Sequence, residues 1–99
     1  MDTSSVTVFV FSPRFQLGQL VATPNALEQI PNEEIMQGLK RHAACDWGEL
    51  DPEDRRSNDR ALAHGGRLFS RYPSTQGVKF WIITETDRSV TTALMPEDY

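Results

Sequence analysis

Residues 77–99 read GVKFWIITETDRSVTTALMPEDY, and the fold turns on how this stretch is read. Phe80, Trp81, Ile82 and Ile83 are consecutive large apolar residues, of the aromatic and β-branched kind that a pleated, half-buried surface accommodates. A polar corner follows, Thr84-Glu85-Thr86-Asp87-Arg88-Ser89, and then a second β-prone run over 90–95. Pro96 bars its continuation, because proline has no N–H to give to a ladder. The stretch therefore predicts an antiparallel hairpin. Side chains alternate along a strand, so Trp81 and Ile83 fall on one face and Phe80 and Ile82 on the other. Both faces are apolar. One is expected to receive helices, and the second needs another cover: an N-terminal strand folded over it, or a second copy of the protein.

Working backwards, residues 67–72 alternate as a strand, with Leu68, Ser70 and Tyr72 on one face and Phe69 between flanking arginines on the other. Residues 73–77 supply the turn into the hairpin. Asp51-Pro52 pairs a capping carboxylate with a proline suited to the first helical position, and starts a helix that runs to Gly65-Gly66. Placing Leu62 inward on that helix puts Asn58 and Asp54 on the same stripe, so polar groups stand where a core helix shows leucines. Asn32-Glu33-Glu34 opens an earlier helix with Ile35, Met36, Leu39 and Ala43 on one face, and Gly48 is its expected left-handed stop. Thr23-Pro24 starts a shorter helix that Pro31 ends. Residues 15–23 and 6–11 are β-prone.

Helices clustered between strands, instead of alternating with them, predict an α+β fold. The expected architecture is an antiparallel sheet, a C-terminal three-stranded meander plus one or two N-terminal strands, covered on one face by two or three helices. At 99 residues the chain makes one domain. Residues 1–13 read as an N-terminal strand or arm, and 14–99 as a single α+β domain.

Composition is that of a folded chain, at 38% hydrophobic and 24% charged. A net charge of −4 argues against a general nucleic-acid binder, which needs clustered Lys and Arg. Acid is concentrated at Asp46, Glu49, Asp51, Glu53 and Asp54, with Arg55, Arg56 and Arg60 following. The run serves either as a solvated loop and helix start or as an acidic patch for a basic partner. Cys45 is the single cysteine, so no internal disulfide can form, and a cytoplasmic setting is expected.

Chemistry-bearing residues are few. His42, Cys45 and Asp46 share helical spacing, yet two or three groups fall short of a zinc set, and His64 sits at a different helix end. Gly65-Gly66 lies after a helix and before a strand, the reverse of a phosphate loop. Glu85, Asp87, Arg88 and Ser89 form the densest polar cluster. They could hold a cation or act as acid and base, or could simply cap the turn and bridge to a neighbouring carboxylate.

One set of residues carries a resemblance: His42-Ala43, Asp46-Trp47-Gly48, Glu53-Asp54, Asn58, Gly65-Gly66-Arg67-Leu68, Ser70, Tyr72, the Phe80-Trp81-Ile82-Ile83-Thr84-Glu85 block, Asp87-Arg88, Thr91-Thr92 and Pro96-Glu97-Asp98-Tyr99. Over 14–99 the chain resembles a family of small uncharacterised proteins of bacterial plasmids and integrative mobile elements. A glycine stands in that pattern where this chain has Cys45. The resemblance implies a mobile-element setting, and small proteins of such elements are often inhibitors of host defence. The leading expectation is thus a non-enzymatic binding protein, an anti-CRISPR or anti-restriction inhibitor. It would need no cofactor or metal, and would present Glu49, Asp51, Glu53, Asp54, Glu85, Asp87 and Arg88 to the basic channel of a larger host protein or ribonucleoprotein, without contacting nucleic acid or membrane itself. Two alternatives stand beside it: a small enzyme using His42, Asp46 and Glu85 around a pocket beneath Trp47, and a structural homo-oligomer, such as a homodimer, that buries the second sheet face.

Overall fold

The computed structural model describes residues 12–99, so the β-prone run at 6–11 and all of the expected arm except Ser12 and Pro13 lie outside the described residues. The elements are β1 (Gln19–Ala22), α1 (Pro24–Gln29), α2 (Asn32–Ala43), α3 (Pro52–His64), β2 (Leu68–Pro73), β3 (Lys79–Thr84), β4 (Val90–Leu94) and a 3-10 turn at Pro96–Asp98. They build an α+β fold around one four-stranded sheet in the order β1-β4-β3-β2. The meander is as expected: β2 pairs antiparallel with β3, and β3 with β4.

One pairing departs from an all-antiparallel sheet. β1 lies parallel to β4, with Gln19 opposite Val90 and Ala22 opposite Ala93. The reason lies where the two strands end. Thr23, just past β1, donates its hydroxyl to Asp98, just past β4, at 2.7 Å, so both strands must point the same way. Thr23 also caps α1 by accepting the Ala26 N–H, and Asp98 also accepts the Met95 N–H. β1 is shorter than the apolar run at 15–23 suggests. Gly18 turns the chain at φ 67 and passes so near Ser89 that a Cβ there would lie 2.2 Å from the Ser89 carbonyl oxygen.

The helices α1 and α2 cover one sheet face. Ala26, Ile30, Ile35 and Leu39 pack there against Tyr72, Phe80, Ile82, Ala93 and Met95. Fully burying a large apolar side chain contributes about 1.5–3 kcal/mol, so this cluster is the main source of stability. Met36, expected on the inward stripe of α2, is exposed, while Gly38 and His42 are buried. A second cluster, Trp47, Leu50, Ala61 and Leu68, joins α3 to the sheet end.

The stop of α2 falls at Cys45, not at Gly48. Cys45 adopts φ 65, its N–H reaches the His42 carbonyl at 2.9 Å, and the Asp46 N–H reaches the Arg41 carbonyl at 2.8 Å. These two bonds form a Schellman motif, whose left-handed position glycine normally occupies. A side chain there costs about 1–2 kcal/mol in backbone strain. Replacing Cys45 with glycine is therefore expected to raise stability by about 1 kcal/mol, after some loss of sulfur packing. Chemical denaturation of the two chains measures this, and a destabilised Cys45→Gly chain would refute it. Gly48 has a different task. It bridges to Arg71 of β2 so closely that a Cβ would lie 2.1 Å from the Arg71 carbonyl oxygen.

Candidate functional site

The polar residues of α3 find their explanation at the edge of the sheet. The buried Asn58 side chain donates to the Phe69 carbonyl at 2.8 Å and accepts the Phe69 N–H at 3.1 Å. One amide thus replaces a missing neighbour strand for β2. Two residues further on, the Arg71 N–H goes to the Trp47 carbonyl and the Arg71 carbonyl takes the Glu49 N–H. The inward stripe of α3 is accordingly Asn58 and Ala61, while Leu62 turns out to solvent.

With α3 pinned along β2, a cleft of about 300 Å³ opens over the second sheet face. Its lining comes from α3 (Asp54, Ser57, Asn58), from β2 and β3 (Phe69, Trp81, Ile83), and from Arg67 and Tyr99. The rings make a continuous wall. Phe69 and Trp81 meet edge to face at 5.0 Å between centroids, and Trp81 and Tyr99 at 5.7 Å. The Arg67 guanidinium lies 5.1 Å from the Tyr99 ring centroid and donates to its hydroxyl. Tyr99 is carried there by the turn at Pro96–Asp98, which Asn25 of α1 holds through Glu97 and Asp98 and Gln29 through Glu97.

The sequence-predicted binding residues are distributed unevenly around this cleft. Asp54 lines it, and Glu53 is its exposed neighbour in the first turn of α3. Asp51 caps α3 by accepting the Asp54 N–H at 2.9 Å. Glu49 is paired with Lys79 at 2.8 Å, and that hydrogen bond holds its carboxyl below the usual range. At the β3–β4 corner, Asp87 accepts the Ser89 N–H, and hydrogen bonds from Ser89 likewise lower its pKa. Arg88 turns inward, donating to the carbonyls of Gly66, Glu85, Thr86 and Ala61, and so ties the corner to the end of α3. Among the described residues, no hydrogen bond or ion pair engages the carboxylates of Glu53, Asp54 and Glu85.

His42 occupies a separate, closed place on the helix-covered face. It is fully buried, with Nδ1 2.6 Å from the Ser70 hydroxyl and Nε2 2.9 Å from the Thr84 hydroxyl. Thr84 lies 2.7 Å from Thr91, whose hydroxyl donates to the Leu17 carbonyl at 2.7 Å. That last acceptor sets the direction of the whole chain. Thr91 spends its proton on Leu17, so Thr84 donates to Thr91, His42 Nε2–H donates to Thr84, and Ser70 donates to Nδ1. Burial, with the Arg88 charge adding to it, pushes the His42 pKa down to about 3. Phe15 and Trp47 close over the ring edge to face, each 5.4 Å away.

The other two members of the imagined enzyme site face elsewhere. Asp46 pairs with Arg41 at 2.7 Å, whose hydrogen bond lowers the carboxyl pKa, and Glu85 belongs to the corner. The Cys45 thiol is pushed up by burial, away from a reactive thiolate. Among the described residues, no three His, Cys, Asp or Glu side chains gather as a metal site, and no helix is long and apolar enough to cross a membrane.

No family model, curated protein or solved structure matches this chain. The cleft was half visible in the sequence. Phe69, Trp81 and Ile83 follow from strand alternation, whereas Arg67 and Tyr99 enter only through the fold of the polar 96–99 tail, whose anchoring to α1 has no local sequence signal.

Proposed function

We propose that this chain is a non-enzymatic binding domain whose contact surface is the aromatic cleft, and that the cleft receives an arginine side chain of a basic protein partner. The observation that carries this reading is the combination of the Phe69-Trp81-Tyr99 wall with the Asp54 carboxylate beside it. A guanidinium is flat enough to stack on such rings and presents a fork of donors to a carboxylate. Arg67 makes that stacking within the chain itself. A nucleobase is disfavoured by the net charge of −4, which repels the phosphates attached to it.

The non-enzymatic part of the reading is supported by His42, whose ring nitrogens are both engaged by hydroxyls in a buried chain and which stays neutral. The setting we propose, a mobile-element protein, is what the family resemblance implies, and the single Cys45 suits a cytoplasmic one. A nucleic-acid-binding component of host defence, whose channel is rich in arginine, is the class of partner we propose for it.

The test is a calorimetric titration with an arginine-rich peptide and with a lysine-rich peptide of equal charge. Preference for arginine is expected, and Asp54→Lys should weaken binding by about tenfold while costing about 1 kcal/mol or less in stability at the helix start. Equal affinity for the two peptides, or binding untouched by Asp54→Lys, would overturn the reading.

A further inference from the structure

The two edges of the sheet are treated very differently. On β2, Asn58 and the segment around Gly48 occupy the outward-facing backbone groups of Phe69 and Arg71. On β1 no described strand lies beyond the edge. The Gln19 and Thr23 N–H groups bond inward to the Ser89 and Ala93 carbonyls of the β4 side. Alternation along a parallel strand then directs the N–H and C=O groups of Leu20 and Ala22 away from the sheet. Natural sheets usually guard such an edge with a lysine, a proline, a bulge or a covering segment. The sequence of β1, Gln-Leu-Val-Ala, has none of the first two.

Beside this edge runs a groove of about 420 Å³ lined by Leu20, Val21, Ala22 and Leu27 together with the α2 residues around Met36. Its lining holds no charged side chain, although the chain as a whole carries −4. Leu20, Leu27 and Met36 are 43%, 53% and 49% exposed. These three are large apolar side chains gathered on the helix-covered side of an edge that no described strand covers, which is the character of an interaction surface.

We propose that β1 is a self-association edge, at which a second copy of this chain adds its own β1 antiparallel to the first across a two-fold axis. The register accommodates this occupant. With Val21 on the axis, Leu20 stands opposite Ala22 of the second copy, and the two exchange both N–H···O bonds as a hydrogen-bonded antiparallel pair. Every outward-facing group of Leu20 and Ala22 on both copies is then satisfied, and the Leu27 and Met36 side chains close over the seam. Two acidic chains repel one another in general, so an uncharged patch is where they meet at least cost. This surface is separate from the aromatic cleft, and neither proposal depends on the other.

Light scattering on the eluted full-length chain, from about 1 µM to about 1 mM, covers the affinities a small interface supports. The mass is expected to rise from 11.2 kDa toward twice that value as concentration increases. Ala22→Pro removes an outward N–H without touching the β4 ladder, and Leu20→Lys places a charge in the seam; each should hold the chain at the monomer mass with its thermal midpoint nearly unchanged. A wild-type chain that stays monomeric throughout overturns the proposal, as does a dimer that survives both substitutions. A monomer whose Leu20 and Ala22 amides resist hydrogen exchange also overturns it, because residues 1–11 of the same chain then hold the edge.

Discussion

Lowering the pH from about 6.5 to about 4.5 is expected to cost this chain about 2 kcal/mol of stability, and His42 is the cause. In the folded chain its pKa stands at about 3, whereas an unfolded histidine titrates near its model value of 6.5. Between those values the unfolded state binds a proton that the folded state refuses. Stability therefore falls as the pH drops through this window, with a slope that steepens from about 0.7 kcal/mol per pH unit at 6.5 toward about 1.4 a unit lower, and is fully present well above it. The exposed carboxylates with lowered pKa, such as Asp46, Asp87 and Asp98, act lower on the pH scale, since their contribution is present above the ordinary carboxylate range and is lost as the pH falls through it. Denaturant midpoints recorded across pH 4.5–7.5 measure the slope. A His42→Gln chain should be less stable at pH 7, because it strains the Ser70–Thr84–Thr91 hydroxyl chain, yet nearly flat across the same range. A wild-type chain that is itself flat between pH 6.5 and 4.5 would show that the ring is not held neutral.

Removing the Asn58 amide is the second large effect. Asn58→Leu keeps most of the volume but leaves the Phe69 N–H and C=O without partners on a partly buried strand edge. Each unsatisfied backbone group costs about 1–3 kcal/mol, so a loss of about 2–5 kcal/mol is expected in urea denaturation. The exposed β2 edge should also make the chain prone to aggregation on partial unfolding. Asn58→Asp separates the two bonds. Its carboxylate still accepts the Phe69 N–H but faces the Phe69 carbonyl oxygen, so the Phe69 amide should stay protected from hydrogen exchange while the chain is destabilised. An Asn58→Leu chain as stable as wild type would mean that the amide does not substitute for a strand.

These two residues also mark what was legible in the sequence. The meander, all three helices and the alternation that puts Trp81 opposite Phe80 follow from local pattern, because periods of 2 and 3.6 residues are written directly in the residue order. Asn58 announced itself as a polar residue on an inward stripe, but its partner could not be read, since the edge it covers is 11 residues away and set by tertiary packing. The parallel placement of β1 was hidden for the same reason: it depends on Thr23 meeting Asp98, a contact 75 residues apart. His42 drew attention as a catalytic candidate because its chemistry is versatile, and only the register of Ser70, Thr84 and Thr91 across three strands explains why it lies in a closed hydroxyl chain. The corner at Glu85, Asp87 and Arg88 looked like a site because charge is dense there. Much of that charge serves the backbone of the turn and the end of α3.

Of the carboxylates expected to meet a partner, Glu53, Asp54 and Glu85 stay unengaged among the described residues, and of these Asp54 alone lines the aromatic cleft. Whether a guanidinium enters beside Trp81 decides the function of the cleft. The most direct measurement is the Trp81 indole N–H resonance, followed by NMR while an arginine-rich peptide, and separately a lysine-rich peptide of equal charge, is added. A saturable shift of Trp81, Tyr99 and Asp54 is expected with the arginine peptide, and little movement of Trp81 with the lysine peptide. An unmoved Trp81 indole, with shifts spread over Glu49, Glu53 and Asp87 for both peptides alike, would contradict it.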